Sequence, residues 1–250
     1  MPNNNLNIES IFMHRALIVL SVFLLLGMSA YTGKLLYANY SASRPQADIK
    51  TWQLSKIIPD EESWQEALDG SQEAIKFDPN NPKYLGHEAQ LYRYKAIMPD
   101  TRPSKAIAAY REALAKYQHL LTLRPSWAPY WGSIISIKYE LWEYDELMTK
   151  ALQNSARLAP WFKTNQRIIL SAGFHGWGLI DDETRKIIDQ TLERAMQLQP
   201  KSTIRLAFEQ GFGDRVEPYV EGDEILQGFY EKELERMKGE GQRGKVKEER

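Results

Sequence analysis

The apolar and polar positions of this chain follow two rhythms. From Ala16 to Gly33 no residue carries a charge, and the run centres on Leu17-Ile18-Val19-Leu20 and Val22-Phe23-Leu24-Leu25-Leu26, between Arg15 and Lys34. As a helix it covers about 27 Å, enough to cross the hydrocarbon core of a bilayer. Leu35, Leu36, Tyr37 and Ala38 prolong the apolar helix, and Tyr31 and Tyr37 suit its interface with water. A cleaved signal peptide and a buried helix of a globular domain are the rival readings. Met28-Ser29-Ala30 is a poor small-x-small cleavage site, and apolar residues continue beyond it. The pattern therefore predicts an uncleaved anchor: residues 1–43 as tail and anchor, with the span at 16–33. Arg15 on one flank and Lys34, Arg44 and Lys50 on the other leave positive-inside counting undecided. A short inner tail with the bulk exported is the usual outcome for a single early span.

The second rhythm is a helical one that recurs. Four segments close on a proline: Glu73 to Pro79, His119 to Pro125, Asn154 to Pro160 and Arg194 to Pro200. Two residues before the proline stand Phe77, Leu123, Leu158 and Leu198; four before it, Ile75, Leu121, Ala156 and Met196; twelve before it, Ala67, Ala113, Met148 and Ile188. These offsets predict one stripe along a helix that the proline ends. Pro79, Pro125, Pro160 and Pro200 are separated by 46, 35 and 40 residues, which fits a 34-residue period with insertions in the turns. After the prolines, Pro82 opens a helix carrying Tyr84, Leu85, Ala89 and Tyr92, and Ala128 opens one carrying Trp131, Ile134 and Ile135. Helix starts on the return strokes are marked by Asp60, Ser104 and Asp181-Asp182-Glu183. Ile135 and Leu170 stand where a tight helix crossing would favour Gly or Ala.

The expectation is an all-α chain: a transmembrane helix followed by a tetratricopeptide-like α-solenoid of about four helical hairpins over 44–210. Residues 211–250 are expected to form a C-terminal helix from Asp223 to Lys238, with Gly239 to Arg250 as a disordered charged tail.

Composition narrows the chemistry. With 32 basic and 33 acidic residues the net charge is -1, which disfavours nucleic acid as the main partner. There is no cysteine, so disulfides, thiolate metal sites and cysteine nucleophiles are excluded. The four histidines, His14, His87, His119 and His175, occur singly and in no zinc-binding spacing. His87 beside Glu88 would point away from it on a helix. Gly173-Phe174-His175-Gly176-Trp177-Gly178 follows no strand, so it reads as a turn between helices rather than a ligand loop. Asp181-Asp182-Glu183 reads as a helix cap rather than a metal cluster. No phosphate loop, nucleophile elbow or carboxylate pair is present, so no catalytic residue, metal site or cofactor is expected. Trp127, Tyr130, Trp131, Tyr139, Trp142, Tyr144, Trp161 and Phe162 crowd into 36 residues. Trp131, Tyr139 and Trp142 are expected to fill the core, whereas Trp127 and Tyr130 are free to face a groove. Tyr84, His87 and Tyr130 lie on first helices of repeats and are the expected partner-binding residues.

The order of the motifs resembles the VpsP-type polysaccharide biosynthesis proteins of bacterial exopolysaccharide clusters. It runs from a short N-terminal span to Trp64-Gln65-Glu66-Ala67-Leu68 and Asp78-Pro79-Asn80-Asn81-Pro82-Lys83-Tyr84. Leu123 to Trp127, Ala159-Pro160-Trp161, Trp177, Glu183-Thr184-Arg185 and Leu192 to Ala195 follow in turn. The resemblance implies a scaffold rather than an enzyme, working in polysaccharide assembly or export at a Gram-negative inner membrane. Other membrane or periplasmic proteins of that system would be its partners. The residues themselves also admit a periplasmic chaperone or assembly factor for pili, division or cytochrome maturation, and a glycan-binding protein.

Overall fold

In a computed structural model the backbone is described from residue 4 to 248 and the side chains from 12 to 239. The described residues form ten α-helices and two single 3₁₀ turns, and no strand. They fall into two compact units, residues 1–106 and 107–250, dividing inside the 44–210 segment expected to be one repeat domain.

Helix α1 (Asn4–Ser55) is continuous through the expected anchor and well past it. Every side chain from Phe12 to Lys34 is exposed, and the helix is long and apolar enough to cross a membrane. Beyond that stretch Ala38, Ala42, Pro45, Ile49 and Trp52 are buried, at alternating spacings of four and three that mark one face. The helix ends at Lys56, whose φ of 53° is left-handed, with the Ile57 N–H donating back to the Trp52 carbonyl at 3.0 Å.

The buried face packs on α2 (Glu61–Phe77). Tyr37 meets Phe77 with ring centroids 4.7 Å apart, and Arg44 pairs with Glu66, so the two helices run antiparallel. Gly70 makes the close approach possible: a Cβ there would lie 3.0 Å from the Ser41 carbonyl oxygen and 3.1 Å from the Pro45 ring. Helix α3 (Pro82–Ile97) returns along α2, with Trp64 Nε1 donating to the Leu91 carbonyl at 2.7 Å and Ser71 Oγ donating to that of Tyr84 at 3.2 Å. Ile49, Trp52, Trp64, Ala67, Leu68, Leu91 and Met98 form one core cluster of this unit; Ala38, Ala42, Ala74 and Tyr84 form another.

Helix α4 (Pro103–Leu123) crosses the boundary between the units. The second unit continues with α5 (Ala128–Glu140), α6 (Glu146–Leu158), α7 (Lys163–His175), α8 (Asp182–Leu198), α9 (Pro200–Glu209) and α10 (Glu224–Glu248). Asp60, Asp145 and Asp181 each cap a helix by accepting from the backbone N–H three residues on. Asp60 and Asp181 match expectation. The Asp145 start is an addition to those expected, and its signal is the same local one, an aspartate cap followed by Glu146 in the first turn. Ile135 and Leu170 stand where a tight crossing would favour Gly or Ala; close approaches in this unit are made at Gly132 and Gly173, where an added Cβ would press on Asn165 and Ile188 respectively. The expected C-terminal helix is present, but its backbone stays helical to Glu248, through the tail expected to be disordered. Glu, Lys, Gln and Arg there are good helix formers, and that propensity outweighs the interspersed glycines.

Four helices, α2, α4, α6 and α8, share one burial register. Counted back from the prolines, positions 12, 8 and 5 are buried in every case: Ala67, Ser71, Ala74; Ala113, Tyr117, Leu120; Met148, Leu152, Ser155; Ile188, Leu192, Ala195. The expected stripe is right at its far end and holds at its near end in two helices of four: Ala156 and Met196, four before the proline, are buried, whereas Ile75 and Leu121 are only half-buried, as are Phe77, Leu123, Leu158 and Leu198. Seven residues bring a helix back to within about 20° of its starting face, whereas eight overshoot it by about 80°.

Candidate functional site

The three residues expected to bind a partner sit in different surroundings. Tyr84 is only 4% exposed and packs with Ala38, Ala42 and Ala74, so its ring belongs to the core of the first unit rather than to an open groove. It is buried because α1 continues over it, a partner that α2–α3 patterning alone does not reveal. His87, one turn further along α3, is half-buried, and its Nδ1 has no hydrogen-bond partner among the described residues. Burial, assisted by the Lys83 charge one turn away, lowers its pKa to about 4, so the ring is neutral at pH 7. Tyr130, on α5, is half-buried between Tyr117 and Trp127, with ring centroids at 6.1 and 6.3 Å.

The aromatic segment divides differently from expectation. Trp131 is half-buried and donates from Nε1 to the Pro125 carbonyl at 2.9 Å. Trp142, expected in the core, is 69% exposed. It lies past the end of α5 with a φ of 57°, which turns the chain and swings the ring outward, edge-on to His175 at 4.2 Å. Trp127, Trp161 and Phe162 are also exposed, at 49, 56 and 53%. Trp127 and Phe162 occupy the N-cap positions of α5 and α7, neither making a side-chain cap bond. Gly132 on α5 faces Asn165 on α7 near the same ends, so the two aromatic caps stand on one side of the second unit.

Two polar clusters were not foreseen. At the α5–α6 turn, Lys138 is buried, with Nζ donating to Glu143 at 2.8 Å and to Asp145 at 2.5 Å, and Arg111 pairs with Glu143. The Arg111 hydrogen bond, with Lys138, holds the Glu143 carboxyl below its usual range. Burial alone would raise Asp145, but Lys138 and the Met148 amide outweigh it and its pKa is lowered. These charges answer one another within the turn, as a buried lysine requires. In the first unit a cleft of about 400 Å³ is lined by Ile58, Pro59, Asp60, Glu61, Lys95, Met98, Pro99, Asp100, Thr101 and Lys105. Lys95 there pairs with Glu61 and lies 4.4 Å from the Trp64 ring centroid, while Asp60 is occupied capping α2. Among the described residues no three His, Asp or Glu side chains are grouped to hold a metal ion.

No family model matches this chain, and no curated protein matches it.

Proposed function

We propose that the chain is a membrane-anchored, tetratricopeptide-like scaffold of the VpsP type. In this reading α1 crosses a bacterial inner membrane and the helical units stand in the periplasm. There they hold polymerase, flippase or export proteins of an exopolysaccharide system by protein–protein contact. The observation that carries the scaffold reading is the burial register shared by α2, α4, α6 and α8, each ending at a proline, behind one continuous apolar helix. α2 packs on α3, α5 on α6 and α7 on α8, and helix pairs of this kind are the units of a repeat array that binds through its surface. The polysaccharide assignment rests on the order of motifs from Trp64 to Ala195. Tethering to the bilayer would raise the effective concentration of membrane partners.

The test is crosslinking in intact cells from photoreactive residues placed at Trp127 and Tyr130. Capture of polysaccharide assembly proteins, with loss of polymer when the gene is removed, is the expected result. Capture confined to pilus, division or cytochrome-maturation proteins, with polymer unchanged, would overturn the reading. A phosphatase fused after Arg250 should be active only if the domain is exported. A second reading, glycan binding, is favoured by the exposed Trp127, Trp161 and Phe162, since sugar rings stack on such faces. Calorimetric titration with oligosaccharides of the polymer, repeated on Trp127→Ala/Trp161→Ala, would separate the two.

A further inference from the structure

The first unit carries a surface that nothing above assigns. Its packing begins almost where the uncharged stretch of α1 stops: Lys34 closes that stretch and Ala38 is already buried, about 6 Å further along the helix axis. Because α2 runs antiparallel to α1, its C-terminal end is the end nearest the apolar stretch. Phe77 lies on Tyr37, and Ala74 and Tyr84 pack with Ala38 and Ala42. The turn between α2 and α3, residues 78–81, is therefore level with Tyr37. The headgroup layer of a bilayer is roughly 5–8 Å deep on each side of the hydrocarbon.

The side chains at this level have the chemistry of that layer. Tyr37 is exposed, Phe77 is half-buried, and Lys34 and Lys83 are exposed, with Tyr31 about 9 Å below Tyr37 along α1 and Tyr40 about 4.5 Å above it. The acidic groups present are internally engaged: Glu73 with Lys76 at 2.7 Å, and Asp78 with Asn81 Nδ2 at 2.9 Å. Tyrosines with flanking lysines are what membrane–water interfaces select. The other end of the unit, where Trp52 meets Tyr94, lies about 22 Å further along α1.

We propose that the α2–α3 turn, with Tyr37 and Phe77 beside it, is a lipid-contacting surface seated in the headgroup layer of the bilayer that α1 crosses. The occupant is the phospholipid headgroup region itself. The proposal rests on reading α1 as the membrane span. Its consequence is that the cleft around Lys95 is held at a set height above the membrane, because α1 is one unbroken helix from span to core.

The natural chain has no cysteine, so single labels are direct. Full-length Asn80→Cys, Asp100→Cys and Leu24→Cys, each carrying an environment-sensitive fluorophore, are reconstituted into phosphatidylcholine/phosphatidylglycerol vesicles. Nitroxide is placed either on the headgroups or on the acyl chains, and circular dichroism confirms that each variant is folded. The label at residue 80 should be quenched several-fold more by headgroup nitroxide than the label at residue 100, and the label at residue 24 should be quenched by acyl-chain nitroxide. Equal quenching at 80 and 100, with residue 24 still quenched from the acyl chains, overturns the lipid-contact proposal alone. A residue 24 label that escapes acyl-chain quenching overturns the span reading, and the proposal with it.

Discussion

Leu120 and Leu121 are chemically identical neighbours, yet Leu120 is fully buried and Leu121 only partly so. Leu120→Ala should cost about 2–5 kcal/mol, because it empties a position that every neighbour encloses. Leu121→Ala should cost clearly less. Urea unfolding of the two variants checks this, and equal costs would show the register to be wrong. His87 makes a second residue-scale prediction. Its folded pKa of about 4 lies below its ordinary 6.5, so between those values the unfolded chain binds more protons. Stability from this group is present above pH 6.5 and is lost as pH falls towards 4. His87→Gln should flatten that part of the stability–pH curve; an unchanged slope would assign it to other groups. Neither result was readable from the sequence, since an apolar-periodic helix does not say which of two adjacent leucines faces inward.

At the scale of elements, the α1–α2 pair depends on Gly70 and Pro45. Pro45 has no N–H, so the Ser41 carbonyl lacks its usual donor, and this carbonyl and the proline ring are what a Cβ at Gly70 would meet. Alanine at an ordinary helical position gains about 1 kcal/mol over glycine. Here the obstructing atoms are a helix carbonyl and a closed ring, neither of which can swing aside, so Gly70→Ala should lower the melting temperature. In a Pro45→Ala background the ring is gone while the Ser41 carbonyl remains, so the same change should cost less than it does in the parent chain. A melting-temperature rise for Gly70→Ala alone would show that the helices can separate freely. The helix starts at Asp60, Pro82, Ala128 and Asp181 were legible because caps and prolines are local chemistry. The start at Asp145 has the same local chemistry, an aspartate followed by Glu146; what is not local is that its carboxylate also answers Lys138, seven residues away.

At the scale of the molecule, the boundary expected at residue 43/44 falls inside the packed part of α1. A chain beginning at Leu35 keeps Ala38 and Ala42 over Tyr84 and Ala74, whereas one beginning at Arg44 uncovers them. Thermal circular dichroism of the two truncated proteins should show the shorter melting at least about 5 °C lower, a loss worth a few kcal/mol at this size. Equal melting would mean that the packing of residues 35–43 contributes nothing.

The sequence by itself determined the all-helical class, the long apolar N-terminal helix, the prolines that end α2, α4, α6 and α8, and most of the capped starts. Each of these depends on hydrophobic period or on contacts within a few residues. Only the tertiary structure decided that α1 continues from its exposed apolar stretch into the core of the first unit, that Tyr84 is interior while Trp142 is not, and that Lys138 is buried among carboxylates. Those outcomes depend on what another helix places against the residue, and helical periodicity records a face without recording what covers it.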